Sequence, residues 1–356
     1  MALILGIESS CDETAASVYD SSAKKILSSC VFSQTKLHEI FGGVVPEIAS
    51  RSHLEKIGPI VNQSLIDANI SLDEIDYIAV TNKPGLIGSL LVGLCFAKGI
   101  CWAKQKKLIA VDHLEAHIFS AFLKNDLTFD ENLLKFPHLN LSVSGGHTNF
   151  YLVKGFGEYE LLGQTLDDAA GEAFDKIGYV LGLGYPGGPI IEKLAKEVNF
   201  EDFYKYPRSK REEKDLNFSF SGLKTAVLYD LVKKNIFDLK SGILKENITP
   251  QIQAKVASSL LVCIGDIFEH SVKIAFNKYP EATGLSFVGG VACNKYLAKK
   301  LETFCTRYKK DFVNPPCKFC CDNAAMVALV GAYKASKNQF TDLTTDVFDR
   351  HLSNDL

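Results

Sequence analysis

The pattern that most limits how this chain can fold occurs twice. Leu3-Ile4-Leu5-Gly6-Ile7 reads as a buried strand, Glu8 to Thr14 as a polar turn, and Ala15 to Tyr19 as a second strand. Near residue 140 the unit returns: strand Leu139 to Val143, turn Ser144-Gly145-Gly146-His147-Thr148, strand Asn149 to Val153. A hairpin repeated in this way predicts a duplicated architecture of two domains. Helical stretches at 46–68, 89–103, 166–183, 190–198, 249–279 and 324–337 alternate with short strands at 75–81, at 285–288 and before Asn314. That alternation predicts α/β layers, sheets covered by helices. A chain of 356 residues is long enough for two such cores. The expected division is 1–125 and 126–335, with a charged insertion at 200–216 and residues 336–356 returning to the first domain.

Chemistry concentrates in Asp112-His113-Leu114-Glu115-Ala116-His117. Histidines four apart on a helix lie on one face, within reach of a single ion. With Asp322 they would form a set of two imidazoles and a carboxylate with open positions, which suits Fe(II) and tolerates Zn(II). The plainer alternative is a pair of polar helix residues, with Asp322 as the N-cap of the helix at 324–337. A zinc protease needs Glu directly after the first histidine. Here Leu114 stands there, and Glu115 points about 200° away from His113, which excludes peptide hydrolysis. Two glycine turns follow strands, Ser144-Gly145-Gly146 and Gly289-Gly290, and such turns bring backbone N–H groups close to anions. Neither fits the phosphate loop or the dinucleotide fingerprint. Asp175 and Glu192 are each either a ribose ligand or an exposed helical charge, and Gly188 would let a ligand lie against a helix start.

Net charge is −3, so nothing marks the whole chain as a nucleic-acid binder. Lys104, Lys106 and Lys107 form one small basic cluster, and Arg208, Lys210 and Arg211 another. The ten cysteines read as reduced thiols. The first residues lack the basic flank of a signal peptide, and no apolar run reaches the ~20 residues that span a bilayer. A cytoplasmic protein without a membrane partner is expected.

Taken together, the motifs resemble one family. They are Gly6-Ile7-Glu8-Ser9-Ser10-Cys11-Asp12-Glu13-Thr14, Phe41-Gly42-Gly43-Val44-Val45-Pro46-Glu47, His113 with His117, and Val143 to Thr148. Further along come Asp168 to Lys176, Tyr185-Pro186-Gly187-Gly188-Pro189, Phe218 to Lys224, Gly289 to Asn294, and Cys320-Cys321-Asp322-Asn323. In this order they resemble the bacterial TsaD family of tRNA threonylcarbamoyl transferases. The resemblance implies a duplicated two-domain fold of the actin-like ATPase and sugar-kinase superfamily, with a nucleotide cleft between the domains. It implies transfer of a threonylcarbamoyl group from threonylcarbamoyl-AMP to the N6 amine of the adenosine 3′ of the anticodon, in tRNAs reading codons that begin with A. The family's partners are a TsaB-type paralogue and a TsaE-type ATPase. By motif, His113, His117 and Asp322 would hold one divalent metal, Fe(II) before Zn(II). Ser142, Val143, Ser144, Gly145, Gly146, Asp175, Gly188, Glu192 and Asn294 would hold the adenylate. Glu192 stands where many relatives carry Asp. The rival readings are an actin-like small-molecule kinase, which has no use for paired histidines, and a non-catalytic scaffold.

Overall fold

The computed structural model describes residues 2–208, 215–238, 240, 243–245 and 248–349. Residues 209–214 of the expected insertion, with Lys210 and Arg211, and the end of the chain from 350 lie outside them. The strands are β1 (Leu3–Glu8), β2 (Glu13–Asp20), β3 (Lys25–Ser33), β4 (Tyr77–Lys83), β5 (Lys107–Asp112), β6 (His138–Val143), β7 (Thr148–Gly155), β8 (Glu158–Gln164), β9 (Phe237–Asp238), β10 (Ile243–Leu244), β11 (Gly284–Val288) and β12 (Asp311–Val313). The helices are α1 (Thr35–His38), α2 (Pro46–Ala68), α3 (Ile87–Lys104), α4 (His113–Ser120), α5 (Ala170–Val180), α6 (Gly187–Glu197), α7 (Ser221–Lys233), α8 (Pro250–Lys278), α9 (Lys295–Arg307) and α10 (Ala324–Ser336).

Two units result, one of Met1–Leu133, Phe156–Glu158 and Pro315–Leu356, the other of Leu134–Gly155 and Tyr159–Asn314. Their sheets run β3-β2-β1-β4-β5 and β12-β11-β6-β7-β8. Numbered within its own unit, each sheet has the same order. Each begins with an antiparallel hairpin (β1 with β2, β6 with β7) and adds parallel strands beside its first member (β4 and β5, β11 and β12). The repeated hairpin was thus a true sign of duplication.

In the first unit, Leu5, Ile7, Val18, Ile78 and Val80 pack with Ile57, Val61, Leu90 and Leu94 of α2 and α3. Pro46 opens α2, where its missing N–H costs nothing, and Asn69 ends it in the left-handed region at φ 53°. Among the described residues α3, with 18 residues, is the one helix that by length and composition alone could cross a membrane. Its face of Ser89, Leu90, Gly93, Leu94, Ala97 and Cys101 is buried, and a Cβ at Gly93 would stand 3.7 Å from Val80 of the sheet. Helix α10 packs on β1, β4 and α4. The chain therefore rejoins the first unit at Pro315, not at 336 as expected, because α10 buries its small apolar face on that sheet.

In the second unit Phe218 and Phe220 point inward onto Phe268, while Ser219 between them turns out to Asp167. The alternation of Phe218-Ser219-Phe220 is that of a strand-like segment with one buried face. Asp167 also accepts from Phe220 N and Ser221 Oγ, and Asp168 pairs with Lys176 and Lys224. These ties hold 166–169 out of the helix expected from 166, and α5 starts at Ala170. Eight of the cysteines are free thiols. Cys293 and Cys317 are disulfide-bonded, which corrects the expectation that all are reduced.

His138 at the head of β6 is fully buried. Burial disfavours its charged form and brings its pKa from 6.5 down to about 4. The unfolded chain takes up a proton there as pH falls through ~6.5, whereas the folded chain does so only near 4. Stability is therefore whole above that window and declines within it as pH drops, by about 3 kcal/mol in all. Urea unfolding measured from pH 7 to 4.5 should show that slope, and His138→Gln should flatten it.

Candidate metal centre and ligand turn

Asp112 ends β5 and caps α4, accepting from Leu114 N at 2.9 Å and Glu115 N at 3.2 Å. Every residue of α4 is buried. One turn apart, His113 and His117 meet edge to face, ring centroids 4.6 Å apart. Glu115 points the other way and pairs with Lys334 of α10 at 3.2 Å, joining the two elements that carry the candidate ligands.

Asp322 lies two residues before α10. Its Oδ1 is 3.1 Å from His117 Nε2 and 3.5 Å from His113 Nε2. One donor atom from each residue falls within 4.8 Å of the others. Bonds of ~2.0–2.2 Å from one ion hold tetrahedral N and O donors roughly 3.3–3.6 Å apart, close to the spacing of Asp322 Oδ1 from the two Nε2 atoms. The N-cap of α10 is Asn323, whose Oδ1 accepts from Met326 N at 3.1 Å. Asp322 is therefore released from the capping role that was the plain alternative for it. His117 Nδ1 is buried without a hydrogen bond, so the ring's polar contact is with Asp322.

The electrostatics call for a cation. Burial alone would lower His113, but the carboxylates of Asp322 and Glu8 hold its pKa up at about 9. Glu13 is pushed well above the usual glutamate value by burial, with Asp322 and Asp12 adding to the rise. Burial, again reinforced by Asp12 and Asp322, also raises the Cys11 thiol. A divalent ion among these groups would relieve the repulsion, and the two imidazoles and one carboxylate are its fitting donors.

The second unit holds the remaining expected residues. Ser142 and Val143 end β6, and both are buried. At Ser144 the chain turns, with its N–H donating to His147 O at 2.8 Å. Gly145 and Gly146 are exposed, and a Cβ on either would meet nothing within 4 Å. The fold itself does not need glycine there, which is consistent with a turn kept bare for a ligand. Gly289 differs: its φ is +90° and a Cβ would lie 2.8 Å from the Val143 carbonyl carbon. Conformation and packing account for that glycine.

Asp175 lies on α5, where its Oδ1 accepts from Gly187 N at 2.8 Å and ties α5 to the start of α6. Gly188 follows in the first turn of α6, where an added Cβ would come no nearer than 4.0 Å to any neighbour. Glu192 Oε1 accepts from Tyr296 N at 3.0 Å, and Asn294 caps α9 through Leu297 N at 3.0 Å. Each side chain thus has a structural duty that spacing alone could not reveal. The described members of the basic clusters are likewise engaged. Lys104 pairs with Asp73, Lys106 donates to the carbonyls of Asp73 and Ile75, Lys107 lies over the Phe340 ring, and Arg208 pairs with Asp202 and Asp266.

A sequence model described as "tRNA N6-adenosine threonylcarbamoyltransferase" matches residues 25–329. Two curated relatives of that name are a Thermosipho africanus protein, 47% identical across 96% of this chain and 97% of its own length, and one from Caldicellulosiruptor saccharolyticus, 43% identical across 97% and 96%. In fold the chain is similar to component A of (R)-2-hydroxyglutaryl-CoA dehydratase from Acidaminococcus fermentans, with a TM-score of 0.54 at 13% identity over 95% of this chain and all of the other. The activator of 2-hydroxyisocaproyl-CoA dehydratase from Clostridium difficile gives 0.50 at 10% identity over 96% of this chain and all of the other. These agree with the expected two-domain actin-like fold.

Proposed function

The chain belongs to the tRNA N6-adenosine threonylcarbamoyltransferase family, and on that footing we propose that it transfers the threonylcarbamoyl group of threonylcarbamoyl-AMP to the N6 amine of the adenosine 3′ of the anticodon. The tRNAs served are those reading codons that begin with A, and the work is done in the cytoplasm with a TsaB-type paralogue and a TsaE-type ATPase. The observation that carries the reading is the meeting of both histidine Nε2 atoms on the Asp322 carboxylate, in a chain that matches the family along nearly its whole length.

His113, His117 and Asp322 would hold one ion, iron(II) before zinc. When bound it supplies Lewis acidity toward oxygens of the acyl adenylate. The acceptor amine is a poor nucleophile because its lone pair is delocalised into the adenine ring, so positioning and charge stabilisation have most to contribute. The N–H groups of Gly145 and Gly146 would stabilise negative charge on the reacting carbonyl or the departing phosphate. Asp175, Gly188, Glu192 and Asn294 would hold ribose and base.

Gly145→Val keeps the backbone N–H but sets a branched side chain in the ligand's way, and should weaken threonylcarbamoyl-AMP binding about 10- to 100-fold, as if one charged hydrogen bond were held out of reach, with an unchanged melting temperature because the position is open. Isothermal titration beside a melting curve reads both. The activity itself is tested by mass analysis of nucleosides from tRNA incubated with the chain, its partners and threonylcarbamoyl-AMP. Threonylcarbamoyladenosine at the position 3′ of the anticodon is expected. Its absence, with phosphorylation of a small molecule in its place, would favour the kinase reading.

A further inference from the structure

We propose that Glu8 is a positioning residue that fixes which ring nitrogen His113 presents to the metal, an inference that rests on the metal-centre reading above. Glu8 ends β1 and is completely buried. Its Oε1 accepts from Ser10 N at 2.6 Å. Its Oε2 accepts from Thr81 Oγ1 at 2.6 Å and lies 3.1 Å from His113 Nδ1. The Ser10 hydroxyl is also near that nitrogen, at 3.2 Å.

An ionised carboxylate only accepts hydrogen bonds. Nδ1 must therefore carry a proton toward Glu8, so that in the neutral ring a metal requires the lone pair lies on Nε2, the nitrogen that faces Asp322 at 3.5 Å. His117 has no such enforcement, because its Nδ1 lacks a hydrogen-bond partner. The device acts on one ligand alone.

Burying a carboxylate is unfavourable unless every oxygen is satisfied, and a glutamine of the same shape would serve the strand end as well. What glutamine cannot do is accept from Ser10 N–H on one side and from His113 and Thr81 on the other. In one amide orientation its NH₂ opposes Ser10 N–H. In the other its NH₂ donates to Nδ1, moving the ring proton to Nε2 and blocking the ligating atom. An outer partner of a metal histidine that loses its acceptor typically costs 10- to 100-fold in metal affinity.

The test is cobalt(II) affinity of the full chain by chelator competition, for wild type, Glu8→Gln, His113→Ala and the double variant. Glu8→Gln should weaken binding about 10- to 100-fold in the wild-type background and by no more than about twofold in the His113→Ala background. Unchanged affinity in Glu8→Gln, or an equal loss in both backgrounds, would overturn the proposal. Should wild type bind no cobalt, the metal-centre reading falls and the proposal with it. ¹⁵N resonances of the imidazoles in the unsubstituted zinc-loaded chain give a second readout, independent of how the variant folds. A protonated Nδ1 on His113 is expected, and a bare or metal-bound Nδ1 would contradict the role given to Glu8.

Discussion

Asp322→Ala is expected to strip the chain of its metal and of transfer activity while leaving its stability in chelator nearly unchanged. The side chain is the single carboxylate of the donor set, so its removal should cost more than the 10- to 100-fold typical of an outer-shell change. Transfer should fall by at least about a hundredfold with it. The fold should tolerate the loss because the helix cap is Asn323. Were Asp322 the cap, alanine would cost about 1 kcal/mol. Removing its charge also lifts a repulsion that raises Glu13 and Cys11. Urea unfolding in chelator, beside metal analysis and the nucleoside assay, separates the two roles. A stability loss matching the activity loss would return Asp322 to structure.

Gly6→Ala should produce the opposite signature, a failure of stability first and of metal binding as its consequence. Gly6 faces the first turn of α10, and a Cβ there would collide with the Ala324 carbonyl oxygen, with Ala328 N at 2.7 Å and with Ala328 Cβ at 2.9 Å. Two of these atoms are backbone, so no rotamer can make room. Overpacking of this kind costs about 1–3 kcal/mol and sometimes more, and the upper end is expected. Helix α10 would be pushed off β1, and Asp322, two residues before it, would move with it. A lowered urea midpoint in metal-free protein is the check. Gly145→Ala, where a Cβ meets nothing within 4 Å, is the control that should leave that midpoint in place.

The duplicated hairpin and most helices were legible because their signals are local: strand, polar turn and strand in Leu3 to Tyr19, and Pro46 at a helix start. The histidine pair was legible for the same reason, since a spacing of four is a property of one helix. What could not be read depends on partners far along the chain. Asp167 and Asp168 look helical until Ser219, Ser221, Lys176 and Lys224 claim them. Asp322 and Asn323 are adjacent candidates for one cap, and only the backbone decides between them. Glu8, in the opening motif, carried no local sign of meeting His113 across 105 positions. The clue available was a carboxylate closing a buried strand, which calls for a partner.

The central claim is that His113, His117 and Asp322 hold a metal that serves acyl transfer from the adenylate. The most direct measurement is metal content together with threonylcarbamoyl-AMP binding, on chain purified without oxygen, for wild type and His113→Ala. The account predicts one ion per chain, iron before zinc, lost in the variant with adenylate binding weakened alongside. A chain without metal, or adenylate binding indifferent to His113, would contradict it.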